Sequence, residues 1–284
     1  MLTVLESLKL SAEYLEKKGI ESPRLNAELL LADILKCKRL DLYLKYDQPL
    51  NEDELNKYRE YLSRRGKNEP LQYIIGKADF FGLEFKVNPS VLIPRPETEI
   101  LVDTIINLEK HKNDLIILDI GTGSGNIAIS LALNLPQSKI IALDISKEAL
   151  SVAKENAEIY NASNQIEFVR KNILDEFSLN DLMFDVIVSN PPYVGIQDYK
   201  NLQKEIVEYE PRIAVTDDED GLKFFRKIIH LSIKHLKHHG KLFFEIGMGQ
   251  SNVVYDMMKN SGLCDIQIIK DYQNIDRVIY GIKK

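Results

Sequence analysis

The sequence of 284 residues predicts an α/β fold with a mostly parallel sheet, preceded by a helical N-terminal region. From about residue 113 onward, short apolar runs typical of buried strands alternate with segments of helical period, which is the pattern of a parallel sheet. A glycine-rich loop over residues 121–125 separates one such strand from a helix. Residues 3–66, in contrast, contain only helical periodicity.

The N-terminal region, residues 1–68, is predicted to be a small helical domain. Leucines recur at helical spacing from Leu5 onward, Ser22-Pro23 is a favourable helix start, and Gly66 is a favourable stop. We interpret the leucines and tyrosines of this region as a packed core, because their spacing places them on one helix face.

The next segment, residues 69–94, is predicted to be a β-hairpin linker. Tyr73-Ile74-Ile75 and residues 80–87 have the aromatic and β-branched composition of strands, and Gly82 lies near the expected turn. Pro96 then favours the start of a helix, so the α/β domain is predicted over residues 95–284.

Within the α/β domain, strands and helices are predicted in alternation. A long helix is expected from Gly221 to His239, and a further helix near residues 251–260. The predicted strands are residues 115–120, 139–143, 165–169, 184–190 and 241–246, with two more near 265–270 and 277–282.

The strand over residues 184–190 runs into Asn190-Pro191-Pro192-Tyr193. Two consecutive prolines make a rigid corner at the carboxyl end of a strand, where open α/β sheets place their ligands. The Asn190 amide oxygen and the Pro191 carbonyl are acceptors, and Tyr193 supplies a flat aromatic face. This combination suits a planar group that carries an NH2, although an isolated Pro-Pro-Tyr is more often an ordinary loop.

The loop Gly121-Thr122-Gly123-Ser124-Gly125 is the second chemical signal. Glycines let a backbone approach a ligand closely, and the following helix N-terminus favours an anion. Asp144 ends the next strand, where a carboxylate can bind both hydroxyls of a ribose, although aspartate is also a common helix cap. Asn126 occupies the place of the third glycine of the dinucleotide-binding pattern, which argues against NAD or FAD.

Composition narrows the functional classes. The net charge of −6 does not favour binding of nucleic acid over the whole surface. Two distant cysteines, and an N-terminus that lacks the pattern of a signal peptide, suit a cytoplasmic protein. We expect no membrane span, because no apolar run is long enough to cross a bilayer. We also expect no metal site, since His235 with His239 and the acidic residues 217–220 are better explained by helix-end charge.

Several longer motifs occur here in one order, and together they resemble the HemK/PrmC family of release factor glutamine N5-methyltransferases. The resemblance covers about residues 5–284. The motifs are Glu69-Pro70-Leu71-Gln72-Tyr73-Ile74-Ile75-Gly76, Val91-Leu92-Ile93-Pro94-Arg95-Pro96-Glu97-Thr98-Glu99, Asp119-Ile120-Gly121-Thr122-Gly123-Ser124-Gly125, Asn190-Pro191-Pro192-Tyr193, Glu210-Pro211, Asp220-Gly221-Leu222 and Phe244-Glu245-Ile246-Gly247.

The resemblance implies a class I S-adenosylmethionine-dependent methyltransferase, Rossmann-like, with a mostly parallel seven-stranded sheet. It implies methyl transfer from S-adenosyl-L-methionine to the glutamine of the Gly-Gly-Gln loop of peptide chain release factors one and two. By position, Gly121, Thr122, Gly123, Ser124 and Gly125 bind the methionine part and Asp144 the ribose. Asn172 and Ile173 stand beside adenine, where the family often has aspartate first. Asn190, Pro191, Pro192 and Tyr193 bind the glutamine amide, with Asn190 also near the cofactor.

Three other readings compete with this one. The corner at residues 190–193 also suits a methyltransferase acting on exocyclic amines of DNA or RNA bases, although the acidic composition argues against it. A cofactor-binding module without catalysis, and a nicotinamide oxidoreductase, are weaker alternatives. We expect direct in-line transfer without a covalent enzyme intermediate, by a chain that acts as a monomer.

Overall fold

The structure is a computed structural model that describes residues 2–175 and 182–284. The elements before the gap are α1 (Val4–Lys17), α2 (Pro23–Ile34), a 3-10 helix (Arg39–Lys45), α3 (Glu52–Arg65), α4 (Leu71–Ile75), β1 (Lys77–Phe80), β2 (Leu83–Lys86), α5 (Pro96–Glu109), β3 (Ile116–Ile120), α6 (Asn126–Asn134), β4 (Lys139–Asp144), α7 (Lys147–Ile159) and β5 (Ile166–Arg170). Those after it are β6 (Phe184–Ser189), α8 (Ile196–Tyr199), α9 (Lys204–Tyr209), α10 (Arg212–Val215), α11 (Lys223–His235), β7 (Leu236–Glu245), α12 (Ser251–Asn260), β8 (Leu263–Lys270) and β9 (Asp276–Lys283).

The chain divides into two compact units, Met1–Lys77 with Gln203–Tyr209, and Ala78–Leu202 with Glu210–Lys284. The first unit is helical. Capping boxes at Thr3 and Asn51 satisfy free backbone amides at the starts of α1 and α3. The buried Arg65 guanidinium donates to Asn26 at 2.7 Å and pairs with Glu205 of α9 at 2.6 Å, which joins α9 to this unit.

Residues 73–75 are predicted to be extended, and that prediction is wrong. They lie in the one-turn helix α4, in which the amides of Tyr73 and Ile74 donate to the Pro70 carbonyl and whose end is capped by Gly76 at a φ of 82°. Short apolar runs do not distinguish a strand from a helix by periodicity alone. Here the flanking Pro70 and Gly76 favour the helix, and Ile74 joins the core of the helical unit.

The second unit contains the predicted sheet and the hairpin β1–β2. The sheet has seven strands in the order β5-β4-β3-β6-β7-β9-β8, and all neighbours from β5 to β7 are parallel, whereas β9 is antiparallel to both β7 and β8. The sheet and its flanking helices confirm the predicted mostly parallel, seven-stranded Rossmann-like fold.

Each face of the sheet is covered by helices. Successive strand residues point to opposite faces, so Ile117 and Val186 pack with α5 and α6, whereas Leu118 and Ile187 pack with α11 and α12. The central strands are apolar on both faces, which is the pattern expected of a parallel sheet with helices on both sides. This layered core fixes the strand ends that carry the candidate site.

The long helix predicted from Gly221 to His239 is shorter in the structure. The helix α11 ends at His235, and residues 236–240 already belong to β7, where Leu236 pairs with Phe184. His239 has a φ of 61°, which a helix interior does not allow. His235 and His239 therefore do not share a helix face. Among the described residues, no helix is both long enough and apolar enough to cross a bilayer.

Candidate active site

A cavity of about 490 Å³ opens at the carboxyl ends of β4, β3 and β6. The strand order reverses here, since the chain leaves β3 toward β4 on one side and reaches β6 on the other. Open α/β sheets bind their ligands at such points, in sites of about 300–1,000 Å³. The predicted site residues that line the cavity are Gly121, Gly123, Asp144, Asn172, Ile173, Asn190, Pro191 and Pro192.

The glycine loop is held by backbone hydrogen bonds from the end of β4. The amides of Gly121 and Thr122 both donate to the Leu143 carbonyl at 2.9 Å. Gly121 and Gly123 have φ values of 77° and 55°, and a Cβ added to either residue would meet nothing within 4 Å. These two positions therefore leave room for a ligand to approach the backbone closely.

Asp144 connects the glycine loop to the start of α7. Its Oδ2 accepts from the Gly123 amide and its Oδ1 from the Ser146 amide, each at 2.9 Å. Burial raises the pKa of the Asp144 carboxyl, while these amides act in the opposite direction. A carboxylate has about four acceptor positions, so acceptor capacity remains for the hydroxyl groups of a ligand.

Asp119, the penultimate residue of β3, is a fully buried acid beneath the loop. Its Oδ2 accepts the Thr122 hydroxyl at 2.7 Å. Burial raises the pKa of Asp119 to about 7, with the charge of Asp144 acting in the same direction. Asp119 belongs to the motif over residues 119–125, but no role for it was predicted from the sequence. An acid in a strand that is otherwise apolar, two residues before a glycine loop, is the signal that could have found it.

Three predicted loop residues, Thr122, Ser124 and Gly125, are outside the described lining of the cavity. The carbonyl of Ser124 accepts from the Asn156 side chain at 2.9 Å. A Cβ on Gly125 would lie 3.0 Å from Ile129 and 3.1 Å from Ala153, so this glycine allows α6 and α7 to pack closely. The predicted contacts of the three loop residues with a cofactor stay predictions.

Asn172 and Ile173 follow β5 and line the opposite wall. The Asn172 oxygen accepts from the Leu174 amide at 3.0 Å, and its amide nitrogen donates to Asp175 at 3.0 Å. The Asn172 oxygen keeps one further acceptor position, and its predicted contact with adenine stays a prediction. Ile173 is 7% exposed and joins the core on the α11 side of the sheet.

The rim of the cavity, formed by Asn190, Pro191 and Pro192, follows directly after β6. The Asn190 side-chain nitrogen donates to the Thr98 hydroxyl at 3.1 Å. That hydroxyl donates in turn to Glu245 Oε2 at 2.5 Å. Thr98 and Glu245 are 2% and 1% exposed, and no role for either was predicted from the sequence.

Tyr193 lies below the rim and is also outside the described lining of the cavity. Its hydroxyl donates to Glu245 Oε1 at 3.1 Å, and burial raises the pKa of Tyr193. The Gln250 side chain donates to the Tyr193 carbonyl at 2.9 Å and accepts from the Gly247 amide at 2.9 Å. The described contacts of Tyr193 thus support the rim from within, and its predicted stacking on a substrate amide stays a prediction.

Comparison with known families matches both parts of the chain. The family model described as the PrmC N-terminal domain matches residues 6–76, and a model described as a methyltransferase domain matches residues 111–259. A "Release factor glutamine methyltransferase" of Geobacter sulfurreducens is 41% identical over 98% of this chain and 96% of the relative. The chain belongs to the release factor glutamine methyltransferase family. The family predicted from the sequence motifs is thereby confirmed.

Other members of the release factor glutamine methyltransferase family give the same result. A relative with this name from Koribacter versatilis is 38% identical over 99% of both chains. One from Fusobacterium nucleatum is 40% identical over 96% of this chain and 77% of the relative. The family match therefore extends through the helical residues as well as the sheet.

Solved structures share the fold at low identity. The hMettl16 catalytic domain in complex with an RNA hairpin has a TM-score of 0.59 and 19% identity, over 95% of this chain and 90% of that chain. A methyltransferase from Pyrococcus furiosus has a TM-score of 0.54 and 22% identity, over 72% of this chain and 90% of that chain. At this identity the likeness shows the methyltransferase fold alone.

Proposed function

We propose that this enzyme transfers the methyl group of S-adenosyl-L-methionine to the side-chain nitrogen (N5) of a glutamine in peptide chain release factors one and two. The glutamine is the one in their Gly-Gly-Gln loop. The observation that carries the proposal is that Asn190 and Pro191 line the same cavity as Gly121, Gly123 and Asp144. A site for a nucleoside-type ligand and a pair of fixed acceptors thus share one space.

The cavity fits the methyl donor. The open space at Gly121 and Gly123 accommodates the methionine part, and the remaining acceptor positions of Asp144 suit the ribose. Asn172 and Ile173 line the wall proposed for adenine. S-adenosyl-L-methionine supplies a methyl group on a sulfonium, which is a good leaving group, so no metal is needed for activation.

The rim suits the nitrogen of a carboxamide. The Pro191 carbonyl has no competing amide from Pro192, and the Asn190 oxygen is a second fixed acceptor. Two N–H groups bonded to these acceptors hold the amide nitrogen in one orientation. Its lone pair, otherwise delocalised into the carbonyl, is then directed at the methyl carbon.

Positioning accounts for most of the chemistry in this proposal. As the nitrogen–carbon bond forms, the carbon–sulfur bond breaks and its electron pair stays on sulfur. The methylated nitrogen is positively charged and acidic, so it releases its proton to water without a strong base. Holding reacting atoms at about 3–3.5 Å in line supplies a large part of such accelerations.

The proposal is tested by incubating the purified chain with each release factor and with S-adenosyl-L-methionine that carries a labelled methyl group. We expect label on one glutamine, located by mass spectrometry as a gain of one methylene. Release factor with that glutamine replaced by alanine is the matched control and should stay unlabelled. Labelling of nucleic acid instead of release factor would favour the alternative of a base methyltransferase.

We further propose that residues 1–68 form a domain that binds the release factor, that residues 69–94 link it to the methyltransferase residues 95–284, and that the chain acts as a cytoplasmic monomer without nucleic acid. The support is the match of residues 6–76 to the PrmC N-terminal domain and the net charge of −6. Deletion of the helical residues should raise KM for release factor more than it changes cofactor affinity.

A further inference from the structure

Glu245 is a buried carboxylate at the end of a buried strand. It is the last residue of β7 and is 1% exposed, and it follows Phe243 and Phe244, which are fully buried. A buried charge lowers stability unless hydrogen bonds compensate it. The Thr98 hydroxyl donates to Oε2 at 2.5 Å and the Tyr193 hydroxyl to Oε1 at 3.1 Å, so both oxygens have a donor.

The bonds to Glu245 set the direction of the Thr98 hydroxyl. Burial raises the pKa of Glu245, whereas the Thr98 and Tyr193 hydroxyls and the charge of Arg277 favour its ionised form. In that form the carboxylate can only accept, and a hydroxyl has a single hydrogen to donate. Because the hydrogen of the Thr98 hydroxyl is used in the bond to Glu245, the Thr98 oxygen can only accept from the Asn190 side chain, at 3.1 Å. The order of donors and acceptors therefore runs one way, from Asn190 through Thr98 to Glu245.

This direction selects one of two orientations of the Asn190 amide. Rotation by half a turn exchanges the oxygen and nitrogen with little change in shape, so packing alone does not discriminate them. An acceptor at Thr98 requires the NH2 on the buried side. The Asn190 oxygen is then the amide atom left for the cavity, which Asn190 lines.

We propose that Thr98 and Glu245 are positioning residues that fix the Asn190 side chain with its oxygen toward the substrate and thereby select substrates that offer a planar NH2 group. The proposal rests on the proposed function, because that function places the substrate amide at Asn190. The flipped Asn190 would present its own NH2 to the substrate NH2, with donor facing donor, and would lose the bond to Thr98.

The pair Thr98→Val and Thr98→Ser separates the hydroxyl from the shape of the side chain. We expect Thr98→Val to lower kcat about tenfold to hundredfold, by analogy with the range for groups that orient the ligands of a metal. Thr98→Ser should stay within about threefold of wild type, because it keeps the hydroxyl. Rates are counted per chain that binds S-adenosyl-L-methionine, so that a loss of folded protein does not imitate the effect.

Thr104→Val is the matched control, since Thr104 lies on the same helix and its hydroxyl donates to the Ile100 carbonyl at 2.7 Å. It should leave kcat unchanged. Cofactor affinity should stay within about twofold in all three variants, because a change of kcat without a change of cofactor binding is the signature of a misplaced acceptor. If Thr98→Val does not fold, Thr98→Ala replaces it.

A double-mutant cycle with Glu245→Gln tests the connection between the two positions. Glutamine keeps the shape but offers an NH2 that can donate to Thr98, which would reverse the hydroxyl. We expect Glu245→Gln to lower kcat as Thr98→Val does, and the double variant to lose no more than the larger single effect.

Three results would each overturn the inference. These are losses of kcat that add in the double variant, a Thr98→Val variant with the kcat of wild type, and a Thr98→Ser variant whose kcat is as low as that of Thr98→Val. The activity of the wild-type chain distinguishes a failure of this inference from a failure of the proposed function. A wild-type chain that methylates no release factor overturns the proposed function, whereas an active wild type with an equally active Thr98→Val overturns only the role of Thr98 and Glu245.

Discussion

The glycine loop and the rim lie at one edge of the same sheet, but they are held by different parts of the molecule. The loop is held by the neighbouring strand β4, through the Leu143 carbonyl and through the Asp144 carboxylate, which accepts from the Gly123 amide. The rim is held by side chains far away in sequence, since Asn190 reaches Thr98 across 92 positions and Thr98 reaches Glu245 across 147.

The difference separates two functions of the site. Backbone hydrogen bonds tolerate many side chains, so the loop needs only glycines and one carboxylate to fit a nucleoside-type ligand. The rim depends on a fixed order of hydrogen-bond donors and acceptors, in which one substitution reverses the direction of the neighbouring hydrogen bond. We therefore expect changes at the loop to act on cofactor affinity and changes at the rim to act on kcat.

The largest expected effect is that of Asn190→Ala. Loss of a preorganised polar group that orients the reacting centre lowers kcat by about 10²–10³-fold. Affinity for S-adenosyl-L-methionine, measured by calorimetry, should change far less, because the loop contacts are intact. A variant with near-normal kcat, or one whose cofactor affinity falls as much as its kcat, would break the division between loop and rim.

The acid beneath the loop gives the second effect, a pH dependence of stability. The pKa of Asp119 is raised to about 7 by burial, above its unfolded value of about 3.9. Its contribution to stability is therefore greatest below about pH 4 and is lost as the pH rises toward about 7. Between pH 5 and pH 8, this one group should lower the free energy of unfolding by about 2–3 kcal/mol.

Asp119→Asn is the comparison for this measurement, because asparagine does not titrate. Denaturant unfolding of both proteins at pH 5 and pH 8, without cofactor, gives the difference directly. Wild type should lose stability relative to the variant on going to pH 8. Parallel pH profiles would show that Asp119 is not protonated in the folded chain at pH 5.

Two glycines with the same backbone property test the loop by itself. Gly121 and Gly249 have φ values of 77° and 84°, and a Cβ on either would meet nothing within 4 Å, but only Gly121 lines the cavity. Alanine at each position costs roughly 1–2 kcal/mol of stability because of the positive φ. Only Gly121→Ala should also weaken the binding of S-adenosyl-L-methionine, by about tenfold. Its kcat at saturating cofactor should be nearly unchanged. Equal cofactor affinities in the two variants would remove the loop from the binding site.

Sequence alone located the loop and the rim because both depend on short local patterns. Gly121, Asp144 and Asn190 each follow a recognisable buried strand, and a parallel sheet brings the carboxyl ends of its strands together. The same reasoning predicted the mostly parallel sheet and its alternation of strands and helices. It failed at residues 73–75, where the flanking Pro70 and Gly76 favour a helix, and at the end of α11, where strand pairing extends β7 back to Leu236.

The supports of the rim could not be found in this way. Thr98 and Glu245 are 147 positions apart, and nothing in either local sequence names the other. The helix α5, which packs on the sheet, brings Thr98 to the end of β7. A buried Glu after consecutive phenylalanines, like the buried Asp119 before the loop, is a local anomaly that marks a site without revealing its partner.

The smallest expected effect compares two glutamines that make similar bonds in different places. Gln250 donates to the carbonyls of Tyr193 and Gly221, at 2.9 and 3.3 Å. Gln165 donates to those of Ala132 and Pro136, at 3.3 and 2.9 Å, away from the cavity lining. Replacing either by alanine should cost about 1 kcal/mol of unfolding free energy.

Because Gln250 supports the backbone of the rim, Gln250→Ala should also lower kcat severalfold, whereas Gln165→Ala should leave it unchanged. Steady-state kinetics beside denaturant unfolding distinguish the two effects. A common loss of stability without a difference in kcat would mean that the Thr98 and Glu245 side chains hold the rim without help from Gln250. A loss of kcat in both variants would mean that general stability, and not the local support of the rim, limits the reaction.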